Sequence, residues 1–354
     1  MSRARVLVTG AFGNVGAQTT RHLIAQGYAT YALDLDSPAN RRAAGRETRV
    51  QACWADLTDA RSVERVVSEV QPDAVIHIAA LIAPLSFVRP QLAQAVNVGG
   101  TRHLLDACAA LPRPPRFIYT SSYTVHGPRN PHRDLPPIDG ETPLAPADPY
   151  ARQKADSEVL VADSGLPWSI LRLPAVLSID PAWGTDPAFL KFWFHLDPTR
   201  REHVLDARDA GLALTNAVQA DVIERRLALG GPETDCRVLG FDYHQQTVEA
   251  MGLAAFDRSC CRRSHPDVDE SWYGEDWVDT RESERLLRYQ RHTFADHVRA
   301  KRAVTGWRYW PTRMVGPLVR GALMRRSPYF GRPAEPDPTA QWEVVRRDFG
   351  LPSG

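Results

Sequence analysis

The 354-residue chain is 43% hydrophobic and 24% charged, which suits a globular protein with a large core and excludes a disordered, collagen-like or small disulfide-stapled chain. Its 43 Lys+Arg against 42 Asp+Glu leave a formal net charge of +1, so no chain-wide field draws it to nucleic acid and any basic patch is local. Five cysteines, at Cys53, Cys108, Cys236, Cys260 and Cys261, show no C-x-x-C spacing and read as reduced thiols of a cytoplasmic protein rather than a zinc cage or redox pair.

The opening MSRARVLVTG holds an apolar run too short for a signal peptide and passes straight into a glycine turn, so it reads as a first strand. Nowhere do about 18 apolar residues run uninterrupted, the length a spanning helix needs. Up to about Leu173, short β-branched or apolar runs alternate with amphipathic stretches. RVLVTG precedes a helix through Leu23, YATYALD and RVQACWAD precede a helix through Val67, and AVIHIAA precedes a helix over Thr101 to Ala110. RFIYTSS is followed by a helix after Tyr150 that leads into WSILRLP. This rhythm predicts right-handed β-α-β crossovers, hence an α/β doubly wound parallel sheet with ligands at the carboxyl ends of its strands. After Pro174 the run SIDPAWGTDPAFLKFWFHLDPTRRE loses periodicity and reads as an excursion over the site. HVLDARDAGLALTNAVQ then reads as a strand and helix returning to the sheet domain, and GGPETDCRVLG with YHQQTVEAMG as a second lobe resuming.

Between Asp296 and Glu335 no acidic residue occurs, while bases from Arg299 to Arg332 are interleaved with Trp307, Tyr309 and Trp310. Met314, Leu318 and Ala322, with Val315 and Leu323 beside them, recur at helical spacing, so residues 311–326 read as a basic amphipathic helix. The expectation is a helix packed on the protein's own surface with its arginines in water. The sharper alternatives are a weak membrane-surface contact and capture of an anionic substrate.

Gly10-Ala11-Phe12-Gly13-Asn14-Val15-Gly16 follows the first strand and opens a helix. Glycines so placed allow a tight turn, let backbone amides approach a pyrophosphate and let helix and strand pack closely, while the helix N-terminus favours the anion. Asp34 ends the second strand, where a carboxylate would accept from the ribose hydroxyls of NAD and repel the additional phosphate of NADP. Leu35 follows it in place of an arginine, although Arg41 and Arg42 come soon after and leave NADP open. Tyr150 and Lys154 lie four apart on a predicted helix and share one face. An adjacent ammonium and an oxidised nicotinamide would both favour the phenolate, so Tyr150 reads as the group exchanging a proton with the substrate oxygen. Ser122, ending the fifth strand, would hydrogen-bond the same oxygen.

The chain resembles the extended short-chain dehydrogenase/reductase family, the NAD-dependent epimerase/dehydratase group, over most of its first 230 or so residues. TGAFGNVG and Asp34 carry the likeness, as do HIAA at His77 to Ala80, NVGGT at Asn97 to Thr101, YTSSYTVHG, the Tyr150-x-x-x-Lys154 pair, ILRLP with Arg172 and LDARDAG with Asp209. The resemblance implies a Rossmann-type sheet and a Ser122, Tyr150 and Lys154 catalytic set. It implies that Asp56 and Leu57 meet the adenine, that Ala79 and Ala80 line the cofactor, and that Lys154 also binds the nicotinamide ribose. Asn97, in the same cofactor region, orders the structure around the site. The resemblance further implies homodimer packing.

Departures from the family pattern narrow the chemistry. Members that eliminate water from a sugar resemble one another in an Asp-Glu pair after the Ser/Thr; this chain has Tyr123-Thr124, which disfavours dehydration and the related decarboxylation. LPAVLSID lacks the family's asparagine, His126 replaces a tyrosine, and Arg200 and Arg201 lie near the diphosphate-binding arginine without aligning to it. The loop Leu81 to Phe87 and the run AFLKFWFHL are apolar, which fits either a pocket for a hydrophobic hydroxy or keto substrate or ordinary packing. His22, His244, His265, His292 and His297 lack ligand spacing, so no metal is expected. The expected protein is an NAD-dependent oxidoreductase acting at a secondary alcohol or ketone. The alternatives are a nucleotide-sugar epimerase using bound NAD and a non-catalytic NAD-sensing or scaffold protein. Its expected organisation is an NAD-binding domain over 1–173 and 202–229, a substrate lobe over 174–201 and 230–300, and a basic C-terminal extension over 301–354. A small hydroxy, keto or sugar molecule is the expected partner, with no nucleic acid.

Overall fold

The computed structural model describes residues 3–180 and 186–351; residues 181–185 of the predicted excursion lie outside the described residues. The alternating runs pair into a seven-stranded, wholly parallel sheet. Its strands are β1 (Arg5–Thr9), β2 (Ala29–Asp34), β3 (Gln51–Trp54), β4 (Ala74–His77), β5 (Arg116–Ser122) and β6 (Trp168–Leu173), joined at one edge by Arg225–Ala228. From β3 the order runs β2, β1, β4, β5, β6 and then Arg225–Ala228. The direction of winding therefore reverses between β1 and β4, the place where an open α/β sheet leaves a crevice.

Side-chain alternation sends successive residues to opposite faces. Val6 and Val8 join Leu23, Ile76, Leu171 and Leu214 on one face, and Leu7 joins Leu33, Val67, Leu104 and Ile170 on the other. Helices Asn14–Ala25 and Ala207–Asn216 cover the first face so closely that a Cβ on Gly211 would stand 2.7 Å from the Gln18 carbonyl carbon. Ala60–Val70 lies on the second face, capped by Asp59, and buries Val63, Val66, Val67 and Val70 at helical spacing.

Two details differ from expectation. Residues β7 (Ala175–Leu177), β8 (Arg201–Asp206) and, after Arg225–Ala228 as β9, β10 (Arg237–Leu239) form a separate three-stranded sheet in the order β10-β8-β7. Thus the strand at 201–206 does not return to the main sheet; only the helix after it does, because β9 already occupies the free edge of β6. The C-terminal helix runs from Tyr309 to Met324, but its apolar stripe is not packed on the protein. Trp310, Met314 and Leu318 are 65%, 84% and 78% exposed. Contact is made instead through Gly316, whose missing side chain lets the helix approach Gly252 and Ala254 closely, and through buried Met324.

Candidate active site

The carboxyl ends of β1, β2, β4 and β5 share one edge of the parallel sheet, and the predicted site residues gather there. Gly10 has φ +63, and a Cβ on it would meet the Ala79 backbone at 2.9 Å; a Cβ on Gly16 would lie 2.1 Å from the Gly10 carbonyl oxygen. Both glycines are thus required by the turn itself. Gly13 differs, since a Cβ there would meet only the Gly10 oxygen, at 3.3 Å, and would otherwise project into open space. Gly13 is also the N-cap of Asn14–Ala25, and no side chain caps that helix. Uncapped amides at a helix N-terminus beside an open glycine face are a donor set for a pyrophosphate, so the residues present fit a dinucleotide.

Asp34 ends β2 with its carboxylate accepting from the Phe12 N–H at 3.1 Å, the Leu35 N–H at 2.9 Å and the Asn40 amide at 3.1 Å. It ties the glycine turn to the second strand, and burial pushes its carboxyl up. Arg41 is held by Asp36 and lies over the Trp54 ring, which faces Phe12 at 5.8 Å. Asp56 accepts from the backbone and hydroxyl of Thr58, and Leu57 is buried against Gly100. Ala79 donates its N–H to Thr9 at 3.2 Å. His77 turns inward, between Thr9 at 2.7 Å and Thr101 at 3.0 Å, and burial holds its pKa at about 3. Since Thr101 donates to the Asn97 carbonyl, it accepts from His77 Nε2, and the Thr9 hydroxyl donates to Nδ1. Asn97 spends its amide on the Leu81 backbone and on Gln153. Its place is therefore a positioning one, fixing the loop at Leu81 to the helix that carries Tyr150.

That helix, Pro149–Ala162, starts at Asp148, whose carboxylate accepts the Ala151 N–H at 2.9 Å, with Pro149 at its first position. Burial pushes Asp148 up to about 6. One turn presents Tyr150 and Lys154, both buried beside Ser122. The Tyr150 phenol stands beside the Ser122 hydroxyl, which accepts from the Thr124 hydroxyl at 2.9 Å. Lys154 donates to the Thr120 carbonyl at 2.8 Å and lies 4.8 Å from the Tyr119 ring centre. Burial brings its pKa down to about 7. Burial pushes Tyr150 up, the Asp148 charge adds to this and the Ser122 hydroxyl opposes it.

One side of Tyr150 is aromatic. Tyr150 shares a buried cluster with Phe87, Phe192, Leu196, Tyr273 and Val345, closed by Trp342, Phe349 and Leu351. Phe87 meets Trp342 at 5.0 Å, and Phe192 meets Tyr273 edge-on at 5.4 Å. The wall thus includes the helix Gln341–Asp348, pinned by Asp348 to His195 at 2.8 Å. Behind Ser122, the Tyr123 hydroxyl donates to buried Glu202, and Arg200 pairs with Glu202 at 3.2 Å and with Glu275. Burial and the neighbouring Glu275 push Glu202 far above the usual carboxylate range. Sequence reasoning missed Asp148, Glu202, Glu275, Tyr273 and Trp342; a charged residue inside the apolar run HVLD's strand was the one available signal, at Glu202. Arg172 is fully engaged by Glu158 at 3.0 and 2.8 Å and by the Gly140 carbonyl, and Asp209 by the backbone of Arg291 and His292. A cavity of about 300 Å³ beside Gln26, Tyr28 and Asn216 contains none of these groups.

Residues 6–182 match the model of the NAD dependent epimerase/dehydratase family. The chain is 32% identical over 184 residues to D-erythronate dehydrogenase of Cupriavidus necator, covering 48% of this chain and 55% of that protein. It is 33% identical over 181 residues to UDP-glucose 4-epimerase 4 of Oryza sativa subsp. japonica, covering 48% and 47%. The chain therefore spans about half the length of these relatives. The crystal structure of dTDP-glucose 4,6-dehydratase from Bacillus anthracis in complex with NAD matches with a TM-score of 0.68 at 15% identity, over 88% of this chain and 99% of that one. UDP-glucose 4-epimerase from Thermotoga maritima, solved with UDP-glucose, gives 0.68 at 18% identity over the same shares. These structures share the fold, and the half-chain family match fixes the membership: the chain belongs to the NAD dependent epimerase/dehydratase family.

Proposed function

We propose that the protein is an NAD-dependent oxidoreductase acting at a secondary alcohol or ketone, with Ser122, Tyr150 and Lys154 as its catalytic residues. The observation that carries the reading is the buried Tyr150 phenol beside Ser122 at the end of β5, with β4 alone between β5 and the strand that leads into the glycine turn. The amides of Asn14 and Val15 with Asp34 would hold the dinucleotide, with Phe12 beside them, Gly10, Gly13 and Gly16 shaping the turn and Asp56, Leu57, Ala79 and Ala80 lining it. Once bound, the nicotinamide supplies a two-electron acceptor or donor for the carbinol carbon. Ser122 positions the substrate oxygen and Tyr150 exchanges a proton with it. Burial keeps the phenol protonated, which suits delivery of a proton to an oxygen gaining negative charge as a ketone is reduced. Lys154 anchors the Thr120 carbonyl and would bind the nicotinamide ribose. Asp34 with Arg41 already committed to Asp36 supports NAD over NADP. The aromatic cluster around Tyr150 supports an apolar hydroxy or keto substrate.

A second reading, a nucleotide-sugar epimerase retaining its NAD, is supported by the likeness to UDP-glucose 4-epimerases over the amino-terminal half. It differs in leaving no net NADH. The test is turnover of a panel of apolar secondary alcohols and ketones, followed by NADH absorbance. Turnover that Tyr150→Phe abolishes while NAD affinity persists is the expected result; turnover unchanged in Tyr150→Phe overturns the assignment.

The reading extends to surroundings and partners. Exposed Val88, Leu92 and Val159, on neighbouring helices, support a homodimer. Five unpaired cysteines support a cytoplasmic location, and no helix among the described residues is long and apolar enough to cross a membrane. A weak membrane-surface contact through 311–326 is supported by the exposed stripe of that helix.

A further inference from the structure

The turn Gly306–Arg308 and the helix Tyr309–Met324 hold four large apolar side chains in solvent: Trp307 at 77% exposure, Trp310 at 65%, Met314 at 84% and Leu318 at 78%. Trp310, Met314 and Leu318 repeat every four residues and fall on one face, with Val315 and Ala322 flanking them. Single exposed apolar residues are ordinary on a protein surface; a contiguous row is not. The helix is held from behind, where Leu323 and Met324 pack into a cluster with Trp193, Phe194, Phe241 and Phe256. Around the outward face Arg308, Arg313, Arg325 and Arg326 are exposed and form no ion pair among the described residues. From 297 to 334 the sequence contains no carboxylate to neutralise them.

We infer that this face docks on an anionic lipid bilayer, with the helix lying in the interface plane, Trp307, Trp310, Met314 and Leu318 among the acyl chains and the arginines at the lipid phosphates. Indole rings suit that depth, since they are apolar bodies with one polar edge. Charge decides against a second copy as the occupant, because an isologous contact would set these arginines against their own counterparts. The inference names the lipid and the inserting residues of the surface contact proposed above, and it stands apart from the hydride-transfer reading. Helix Pro187–Phe194 joins the two regions: Trp193 and Phe194 pack beneath the docking helix, and Phe192 packs in the Tyr150 cluster.

The experiment is flotation of the full chain with vesicles of phosphatidylcholine alone or in equal parts with phosphatidylglycerol, at low and high salt. Binding should be at least about tenfold stronger to the anionic vesicles and should fall as salt is raised. The variant Trp310→Ser/Met314→Ser/Leu318→Ser should lose at least about tenfold of the binding. Arg325→Gln/Arg326→Gln should weaken it and flatten the salt dependence. NAD affinity and melting temperature should match the parent in both variants, which separates a docking failure from a failure of the catalytic reading. Absence of binding to anionic vesicles at low salt by folded protein overturns the inference. So does undiminished binding by the triple variant, or a parent dimer that the triple variant splits while neither form floats.

Discussion

Lys154→Met should make the protein more stable at neutral pH. Burial brings the Lys154 amine from an ordinary 10.5 to about 7, so the unfolded chain holds a proton that the folded site disfavours. At neutral pH that disfavour costs about 4 kcal/mol. Methionine removes the cost but also loses the hydrogen bond to the Thr120 carbonyl and the charge over the Tyr119 ring, together worth about 2 kcal/mol. The net gain is about 2 kcal/mol. Because the folded pKa lies below the unfolded one, the unfolded state binds more protons between the two values, and parent stability rises with pH through that window. The penalty is fully present below the folded value near 7 and is gone above 10.5. The variant lacks this titration, so its advantage should shrink on raising the pH and vanish near about pH 9. Urea unfolding of both proteins at stepped pH measures the gap directly. A destabilised variant at neutral pH, or a gap that does not change with pH, would refute the account of Lys154 as a buried amine kept at a cost in stability.

Arg172 and Glu158 are each 2% exposed in their side chains and doubly bonded; Arg172→Met should cost about 3–5 kcal/mol in urea unfolding by stranding the carboxylate, and Arg172→Met/Glu158→Met should recover most of it. Glu202→Gln should be nearly neutral, within about 1 kcal/mol, because burial and Glu275 already favour a proton on Glu202, whereas Glu275→Gln should cost about 2–4 kcal/mol by leaving Arg200 without its charged partner. Gly16→Ala places a methyl group 2.1 Å from the Gly10 oxygen, so both melting temperature and NAD affinity should fall, the latter at least about tenfold by titration.

The sheet was legible because a strand buried on both faces must be apolar throughout, and RVLVT, AVIH and RFIYTSS announce that in any context. Ser122, Tyr150 and Lys154 could be singled out only by their positions in the family pattern, since a Tyr-x-x-x-Lys spacing on a helix is common by itself. The strand Arg225–Ala228 was not, since two arginines open it and it reads as surface until β6 is seen to offer it an edge. Glu202 and Glu275 were hidden for a different reason: their relation to Tyr123 and Arg200 joins positions 79 and 75 residues apart. Periodicity also showed which residues of the C-terminal helix share a face, but a period carries no sign, and the face points outward.

The same distant pairings bear on what the crevice can accept. Arg200 stands near the site, yet Glu275 neutralises it, and Arg262 beyond it is bound to Asp337. A diphosphate entering on this side would have to break a buried ion pair before gaining a new one, which costs more than an exposed arginine would ask. Around Tyr150 stand uncharged hydroxyl groups, the phenols of Tyr150 and Tyr273, both pushed up by burial, and the alcohol of Ser122, with Phe87, Phe192 and Trp342 beside them. Uncharged donors recognise one oxygen, and aromatic walls recognise the carbon skeleton that carries it. On the proposed reading, selection would rest on shape and on a single oxygen rather than on charge. The residues that set the shape at 342–351 lie well outside the 6–182 segment by which the family is known.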